Sequence, residues 1–463
     1  MRNILKRMGA LLPGIGDRKR FERTAAPSPT ETERDLSLAR EMLDVKAQEL
    51  RYAWEHAHKL DKALQQLDVL YRSTAEHVSA SRNDAILAHT YGSEKPTVPS
   101  LIVPDLPPSD RDVRIAERLL KAYHRAAAEE SARRSAASGD SWAWIKTLQG
   151  EFFDALERKD PHYLAEYLGA MGRRDATIGI DQGNIEFEKL TNDPGKRDQM
   201  ALHHKDKLLS LAEAVGAFPC ENPEQGVWGK GLHTQTDVLV ECIERTLGID
   251  ISPPAIDGGL LKISSSRALF CERDCSALYT AWSIRQILAK QSEVSVCEIG
   301  AGSGRVAYWS HRFGPTRYTI YDLPHINVVH GNYLLRSLPE DQVVLYGEPN
   351  ASPASAPTTI LPYFCMEKTP SRSFDLIFNQ DSFPEIQSEI VTGYLNWIKR
   401  ASRGLLYSLN HESRPLTIGG DSLQVNVPEL IDKVGGFRRL SRSPYWLRRG
   451  YVAELYTILD QAG

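Results

Sequence analysis

Residues 256–463 predict an α/β domain on a doubly wound, mainly parallel sheet, and the residues ahead of them predict a mostly α-helical region. Three observations carry this. After Ile256, short apolar runs alternate with helical segments; one run, "VSVCEI", opens straight into a glycine-rich turn; and the last two runs lie close together, as in a terminal antiparallel hairpin. The runs number seven: "VSVCEI", "YTIYDL", "QVVLYGE", "FDLIFNQD", "GLLYSLN", "FRRLSRS" and "YVAELYTIL".

The chain has 463 residues, of which 41% are hydrophobic and 25% charged, an ordinary balance for globular domains. A net charge of −4 gives no global attraction to nucleic acid or to an anionic membrane, so neither is expected as a partner. None of the six cysteines forms a CxxC pair and no signal peptide is evident, so the expectation is reduced thiols in a cytoplasm. No apolar run approaches the ~18 residues that a transmembrane helix needs.

Along the chain, residues 1–34 begin with the basic, apolar "MRNILKRMGALLPGIG" and continue into a charged stretch holding Pro27 and Pro29. This reads as a disordered or basic terminal segment, with a short surface helix as the alternative for its first part. Over residues 35–90, Leu36, Leu43, Leu50, Ala57, Leu64 and Tyr71 recur every seventh position. Ala39, Ala53, Leu60 and Leu67 fill the complementary register, which Lys46 interrupts. Such a seam predicts a coiled coil that makes homo-oligomers, or a long helix packed within its own chain. Residues 91–110 hold five prolines and predict a linker. Residues 111–255 read as helices broken near Asp160-Pro161 and at "FPCENPEQGVWGKG". "SALYTAWSIRQILA" then adds a helix ahead of the first strand.

The glycine turn has the form E-x-G-x-G-x-G, with Glu298, Gly300, Gly302 and Gly304. Glycines here let a ligand approach the backbone, and the helix that follows offers unpaired N–H groups at its start. A dinucleotide fingerprint would need glycine at 305, where Arg305 stands, and no G-K-[ST] follows for a phosphate loop. A carboxylate in the loop repels pyrophosphate and suits a cation. The next strand ends in Asp322, eighteen positions after Gly304, where a carboxylate can accept both hydroxyls of a ribose.

With these residues the turn resembles motif I of the class I S-adenosylmethionine-dependent methyltransferases, a Rossmann-like fold. Together with "YDLPH" and "FNQDSFPEI", in which Asn379, Ser382, Glu385 and Ile386 fall on an N-x-x-S-x-x-E-[MI] pattern, residues 255–460 resemble the sugar O-methyltransferase family. The resemblance implies S-adenosylmethionine as cofactor. It implies that Gly300, Ala301, Gly302 and Gly304 run under the methionine portion, that Glu298 holds its ammonium, and that Asp322 holds the ribose with Leu323 and Asn379 beside it. It also implies a carbohydrate or glycosylated acceptor.

In an open α/β sheet a ligand lies at the carboxyl ends of the strands, so the residues after each strand are catalytic candidates. Moving a methyl group to a hydroxyl needs positioning and a base. His411, with Glu412 or a nearby carboxylate to orient it, is the first candidate, since an imidazole titrates near neutrality. Asp381 and Glu385 are alternatives, as bases or as Mg²⁺ ligands. The metal role is disfavoured because no dense acidic cluster appears, and Glu385 can instead cap the next helix. His325 reads as a helix cap, and the five arginines of residues 436–450 as a solvated strand face or an anion contact. His203 and His204 lack the spacing of metal ligands. Methyl transfer to another small acceptor, or a coiled-coil scaffold that only binds the cofactor, are the competing readings.

Overall fold

The computed structural model describes residues 43–46, 48–54, 56, 59–60, 63, 96–133, 141–222, 229–289, 291–353, 356–412 and 425–459. The chain divides into two compact units, Met1–His89 and Thr90–Gly463. In the first unit the described residues are helical, and Leu43, Leu50 and Leu60 of the heptad seam are exposed on that helix. The seam positions Leu36, Ala39, Ala57, Leu64, Leu67 and Tyr71 lie outside the described residues, as do residues 1–34.

The second unit begins with helices. They are α1 (Asp110–Arg133), α2 (Ser141–Leu148), α3 (Gly150–Glu157), α4 (Pro161–Gly169), α5 (Gly183–Thr191), α6 (Pro194–Ala214) and α7 (Thr236–Leu247). Local chemistry sets several starts. Asp160 accepts the His162 and Tyr163 amides ahead of Pro161, and Asp193 accepts the Lys196 amide ahead of Pro194. In α1, Ile115, Leu119, Tyr123 and Ala126 recur at helical spacing and are buried, each large side chain contributing roughly 1.5–3 kcal/mol. The proline-rich residues before α1 are more than a linker. Strand β1 (Leu101–Ile102) pairs with β2 (Lys262–Ser264), which pairs in turn with β3 (Leu269–Phe270).

Helix α8 (Glu272–Ile287) leads into the main sheet of β4 (Val294–Ile299), β5 (Thr316–Asp322), β6 (Val343–Leu345), β7 (Thr358–Pro362), β8 (Phe374–Gln380), β9 (Ser402–His411), β10 (Phe437–Pro444) and β11 (Tyr451–Ile458). The sheet order is β10-β11-β9-β8-β4-β5-β7-β6. β4 to β9 run parallel, while β11 is antiparallel to β9 and β10. The terminal hairpin is therefore present, but this sheet has eight strands, where the apolar runs predicted seven. The extra strand is β7, whose "TTILP" is short and flanked by prolines, so it reads as loop.

Helices α9 (Arg305–Arg312) and α10 (Ile326–Ser337) share one face of the sheet with α8, in a core with Val296, Tyr318, Ile320 and Phe378. The segment α1–α7 forms a helical cap, of which α1, α3, α4, α6 and α7 join that same core. α11 (Ser388–Ala401) and α12 (Val427–Val434) cover the other face over Ile299, Tyr321, Ile377 and Leu406. The chain leaves β4 toward β5 on one side and returns on its other side at β8. That reversal lies at the carboxyl ends of β4 and β8, the place where open α/β sheets take their ligands.

Polar ties fix the helical part to the sheet part. Arg118 reaches both oxygens of Glu348 at 2.8 and 2.9 Å, and Arg336 meets Asp112 at 2.8 Å. His203 meets Glu272 at 2.5 Å. All six cysteines are free thiols, and among the described residues no helix is long and apolar enough to cross a membrane.

Candidate functional site

The glycine turn follows β4 directly, at that reversal point. Gly300, Gly302 and Gly304 have φ of +76°, +54° and +80°, the left-handed region that other residues avoid. Two of them are also needed for space. A Cβ on Gly300 would stand 2.3 Å from the Ser382 Oγ, and one on Gly304 would stand 2.8 Å from the His330 Cβ. The first close approach lets the β8 loop abut the turn; the second lets α9 and α10 pack together.

Asp322 ends β5 beside the turn. Its Oδ2 accepts the Ala301 amide at 2.9 Å and its Oδ1 accepts the Leu323 amide at 2.8 Å. Burial pushes its pKa up to about 7, against the lowering effect of these main-chain hydrogen bonds. Glu298, inside β4, accepts a hydrogen bond from the Tyr318 hydroxyl at 2.7 Å. Burial lifts it to about 8, and the charge of Asp322 adds to the rise. Two carboxyls thus flank the turn, both disfavoured as anions until a cation or further donors arrive. Ala301 and Leu323 pack their side chains against the core beside them.

Asn379 lies behind the turn, fully buried. Its Nδ2 donates to the Ile299 carbonyl at 2.7 Å, and its Oδ1 accepts the Phe383 amide at 3.2 Å. Its amide thereby stitches the β8 loop to the end of β4.

Asp381 follows β8 with φ +67°, a strained value for a residue with a side chain. Its two oxygens accept from the Tyr451 hydroxyl and from Arg448, whose guanidinium lies 4.0 Å from the Tyr451 ring centroid. His411 ends β9 directly opposite Tyr451 in the antiparallel register, with the rings edge-on at 5.6 Å. Tyr451 therefore connects two of the sequence candidates. Glu385 is one turn further on, partly exposed, in the 3₁₀ turn Phe383–Glu385, where its amide donates to the Ser382 carbonyl at 3.1 Å.

Other expectations shift. Glu412, just after β9, makes a two-pronged ion pair with Arg442 of β10, both contacts at 2.7 Å, across the intervening β11. His325 stands at the N-cap position of α10 without a side-chain capping bond; its buried ring packs on Phe153 at 5.2 Å, and burial drives its pKa well down. Of the terminal arginines, Arg439 and Arg442 meet Glu454, and Arg448 meets Asp381. Among the described residues, no group of His, Cys, Asp or Glu has the geometry to hold a metal ion. Sequence reasoning missed Tyr451, the first residue of β11, and took Arg448 only as one of the five arginines of residues 436–450.

No family model matches the chain, and no curated protein matches it. Solved structures are similar over about 40% of the chain. Magnesium protoporphyrin IX methyltransferase from Synechocystis PCC 6803, with bound SAH, shares 13% identity over 40% of this chain and 84% of its own, with a TM-score of 0.31. The glycopeptide N-methyltransferase MtfA shares 13% over 40% of this chain and 90% of its own, with a TM-score of 0.30. The DhpI–SAH complex shares 14% over 40% and 85%, with a TM-score of 0.26. Likeness of this degree names no activity for this chain; the reading below stands on the chain's own geometry.

Proposed function

We propose that the chain is an S-adenosylmethionine-dependent O-methyltransferase whose acceptor is a hydroxyl of a sugar or of a glycosylated molecule. One observation carries the cofactor reading: two buried carboxyls, Glu298 and Asp322, flank a turn of three positive-φ glycines at the sheet's reversal point. That arrangement rewards a cationic nucleoside and penalises a pyrophosphate.

In this reading Gly300, Ala301, Gly302 and Gly304 form the bed for the methionine portion, and Glu298 answers the ammonium. Asp322 takes the ribose. Its oxygens accept the Ala301 and Leu323 amides, with a further main-chain bond from Gly302, and of a carboxylate's about four acceptor positions this leaves room for a ribose hydroxyl. Leu323 offers an apolar edge to the base, while Asn379 holds the floor in shape. S-adenosylmethionine supplies an electrophilic methyl group on a sulfonium.

The acceptor side is Asp381, Tyr451, Arg448 and His411. The acceptor oxygen forms the new bond to carbon as the carbon–sulfur bond breaks, and the hydroxyl proton passes to the base. His411 is that base, with Asp381 held by Tyr451 and Arg448 to orient the acceptor; Glu385 borders the same edge. No step here calls for Mg²⁺. The sugar assignment rests on the sequence resemblance across the β8 loop. The test is transfer of labelled methyl from S-adenosylmethionine to a panel of sugars, nucleotide sugars, polysaccharide extracts and phenols. Label in a sugar fraction supports the full reading. Label only in phenols retains the methyltransferase and removes the sugar. Tight cofactor binding without transfer on any panel favours a cofactor-binding scaffold.

A further inference from the structure

Among the described residues, a group of buried charges gathers at the first helical residue after the glycine turn. Arg305 is the first residue of α9, directly after Gly304, and its side chain is 2% exposed. Its Nε lies 3.1 Å from Asp274, its Nη1 2.9 Å from Asp181 and its Nη2 3.0 Å from Asp257. Nη1 also bonds the Ser303 hydroxyl inside the turn, and the guanidinium stands 5.1 Å from the Tyr333 ring centroid. Lys262 shares two of these acids, at 2.6 Å from Asp257 and 3.2 Å from Asp274.

The acids come from separate parts of the fold. Asp274 belongs to α8, Asp257 precedes β2, and Asp181 lies in the cap segment between α4 and α5. Ile180, next to Asp181, puts its Cγ2 3.4 Å from where a Cβ on Gly302 would stand. One cap segment therefore roofs the glycine turn with one residue and grips its first helical residue with the next. We propose that Arg305 is a positioning residue through which the cap segment around Asp181 sets the shape of the turn, so that cap docking and cofactor binding are coupled. This rests on the reading of the turn as the cofactor bed.

The physics favours a specifying role over a stabilising one. Taking several ions out of water costs about as much as their mutual attraction returns, and apolar side chains would fill the same volume at no such cost. What the ions add is a single geometry: a guanidinium fork flanked by acids from three directions holds Gly304 and Ser303 in one place. Ser303 is the residue between Gly302 and Gly304, so its restraint acts on the turn itself. Asp181 has a second partner, Arg273, at 3.7 Å, so losing its charge loosens the cap segment from two sides.

The test uses amide hydrogen exchange and calorimetry on the full chain. In Asp181→Asn, amides of residues 301–304 and of residues 178–182 should both exchange about tenfold faster, and S-adenosylhomocysteine should bind about tenfold more weakly. Arg305→Lys keeps the charge without the fork and should recover part of the affinity that Arg305→Met loses. Arg118→Gln, which cuts a cap tie remote from the turn, is the control and should leave affinity within about twofold. Acceleration confined to the cap segment with unchanged turn amides and affinity overturns the proposal, as does an equal affinity loss in Arg118→Gln. Should Asp181→Asn not fold, the wild type decides: about tenfold slower exchange at residues 178–182 with S-adenosylhomocysteine supports the coupling, and no change overturns it. Should the wild type bind no cofactor, the methyltransferase reading falls, while the turn and cap exchange rates in Asp181→Asn still decide whether Arg305 positions the turn.

Discussion

Tyr451 donates its phenolic hydrogen to Asp381, and the same ring stands edge-on to His411 across the β9–β11 register. A donor from one strand thus holds the carboxylate that ends another, in a left-handed backbone conformation that costs about 1–3 kcal/mol. The relationship predicts that Tyr451→Phe lowers turnover roughly 10-fold or more while cofactor affinity stays unchanged, because the removed hydroxyl touches only the acceptor side. Asp381→Asn should reduce turnover further, since it also breaks the Arg448 pair. Single-turnover rates beside calorimetric affinity check this; a matching fall in affinity would place Asp381 in the cofactor bed instead.

His411 and Glu412 are adjacent in sequence and separate in chemistry. Glu412 is held by Arg442, which also meets Glu454, in a chain of ions across the terminal hairpin. His411→Ala should therefore cut methyl transfer by about 100-fold or more, the usual scale for a lost general base, with cofactor binding retained. Glu412→Gln should leave turnover within about threefold and cost under about 1 kcal/mol in stability, as for a partly exposed pair. Initial rates on the two variants, measured against a common acceptor, separate them.

Much of this fold was legible because it is written in neighbouring residues. The run "VSVCEI" is buried throughout, and a strand buried on both faces needs a mainly apolar stretch, which the sequence displays with Ser295 and Glu298 as its polar members. The glycine turn and Asp322 were legible for a similar reason, as positions fixed within one strand–turn–helix–strand unit. β7 was not, since its prolines mark both of its ends as loop and only its neighbours β5 and β6 make it a strand. Tyr451 was not, because its value lies in the cross-strand register that sets it opposite His411. Nor were the partners of Arg305: Asp181 is 124 residues away, and nothing local announces that a cap segment returns to cover the turn.

Gly300 offers a test of close approach. An alanine there must hold a φ of +76° and place its Cβ 2.3 Å from the Ser382 Oγ. Gly300→Ala should lower stability by about 1–3 kcal/mol in denaturant titrations and abolish cofactor binding. Removing the obstacle in the double variant Gly300→Ala with Ser382→Gly should return part of the stability, leaving the cost of the backbone conformation. No recovery would mean that the backbone conformation carries the whole cost.

The two raised carboxyls make the last prediction, and its sign follows from proton linkage. Asp322 moves from 3.8 to about 7 and Glu298 from 4.5 to about 8, so the folded chain keeps protons that the unfolded chain has already released. Their favourable contribution is fully present below the unfolded values and is lost as pH rises through about 7 to about 8. Glu298→Gln keeps the hydrogen bond from Tyr318 and cannot ionise, so it should be more stable than wild type near pH 8, with the gap closing toward pH 4.5. Cofactor binding should run the other way. A ligand bearing an ammonium stabilises the ionised acids, so its affinity should rise over that same interval, with proton release seen in calorimetry as a heat that depends on the buffer. In Glu298→Gln the rise should shrink and the released protons should fall in number. A rise of undiminished size in that variant would assign the ammonium to Asp322 and leave Glu298 as a partner of Tyr318 alone.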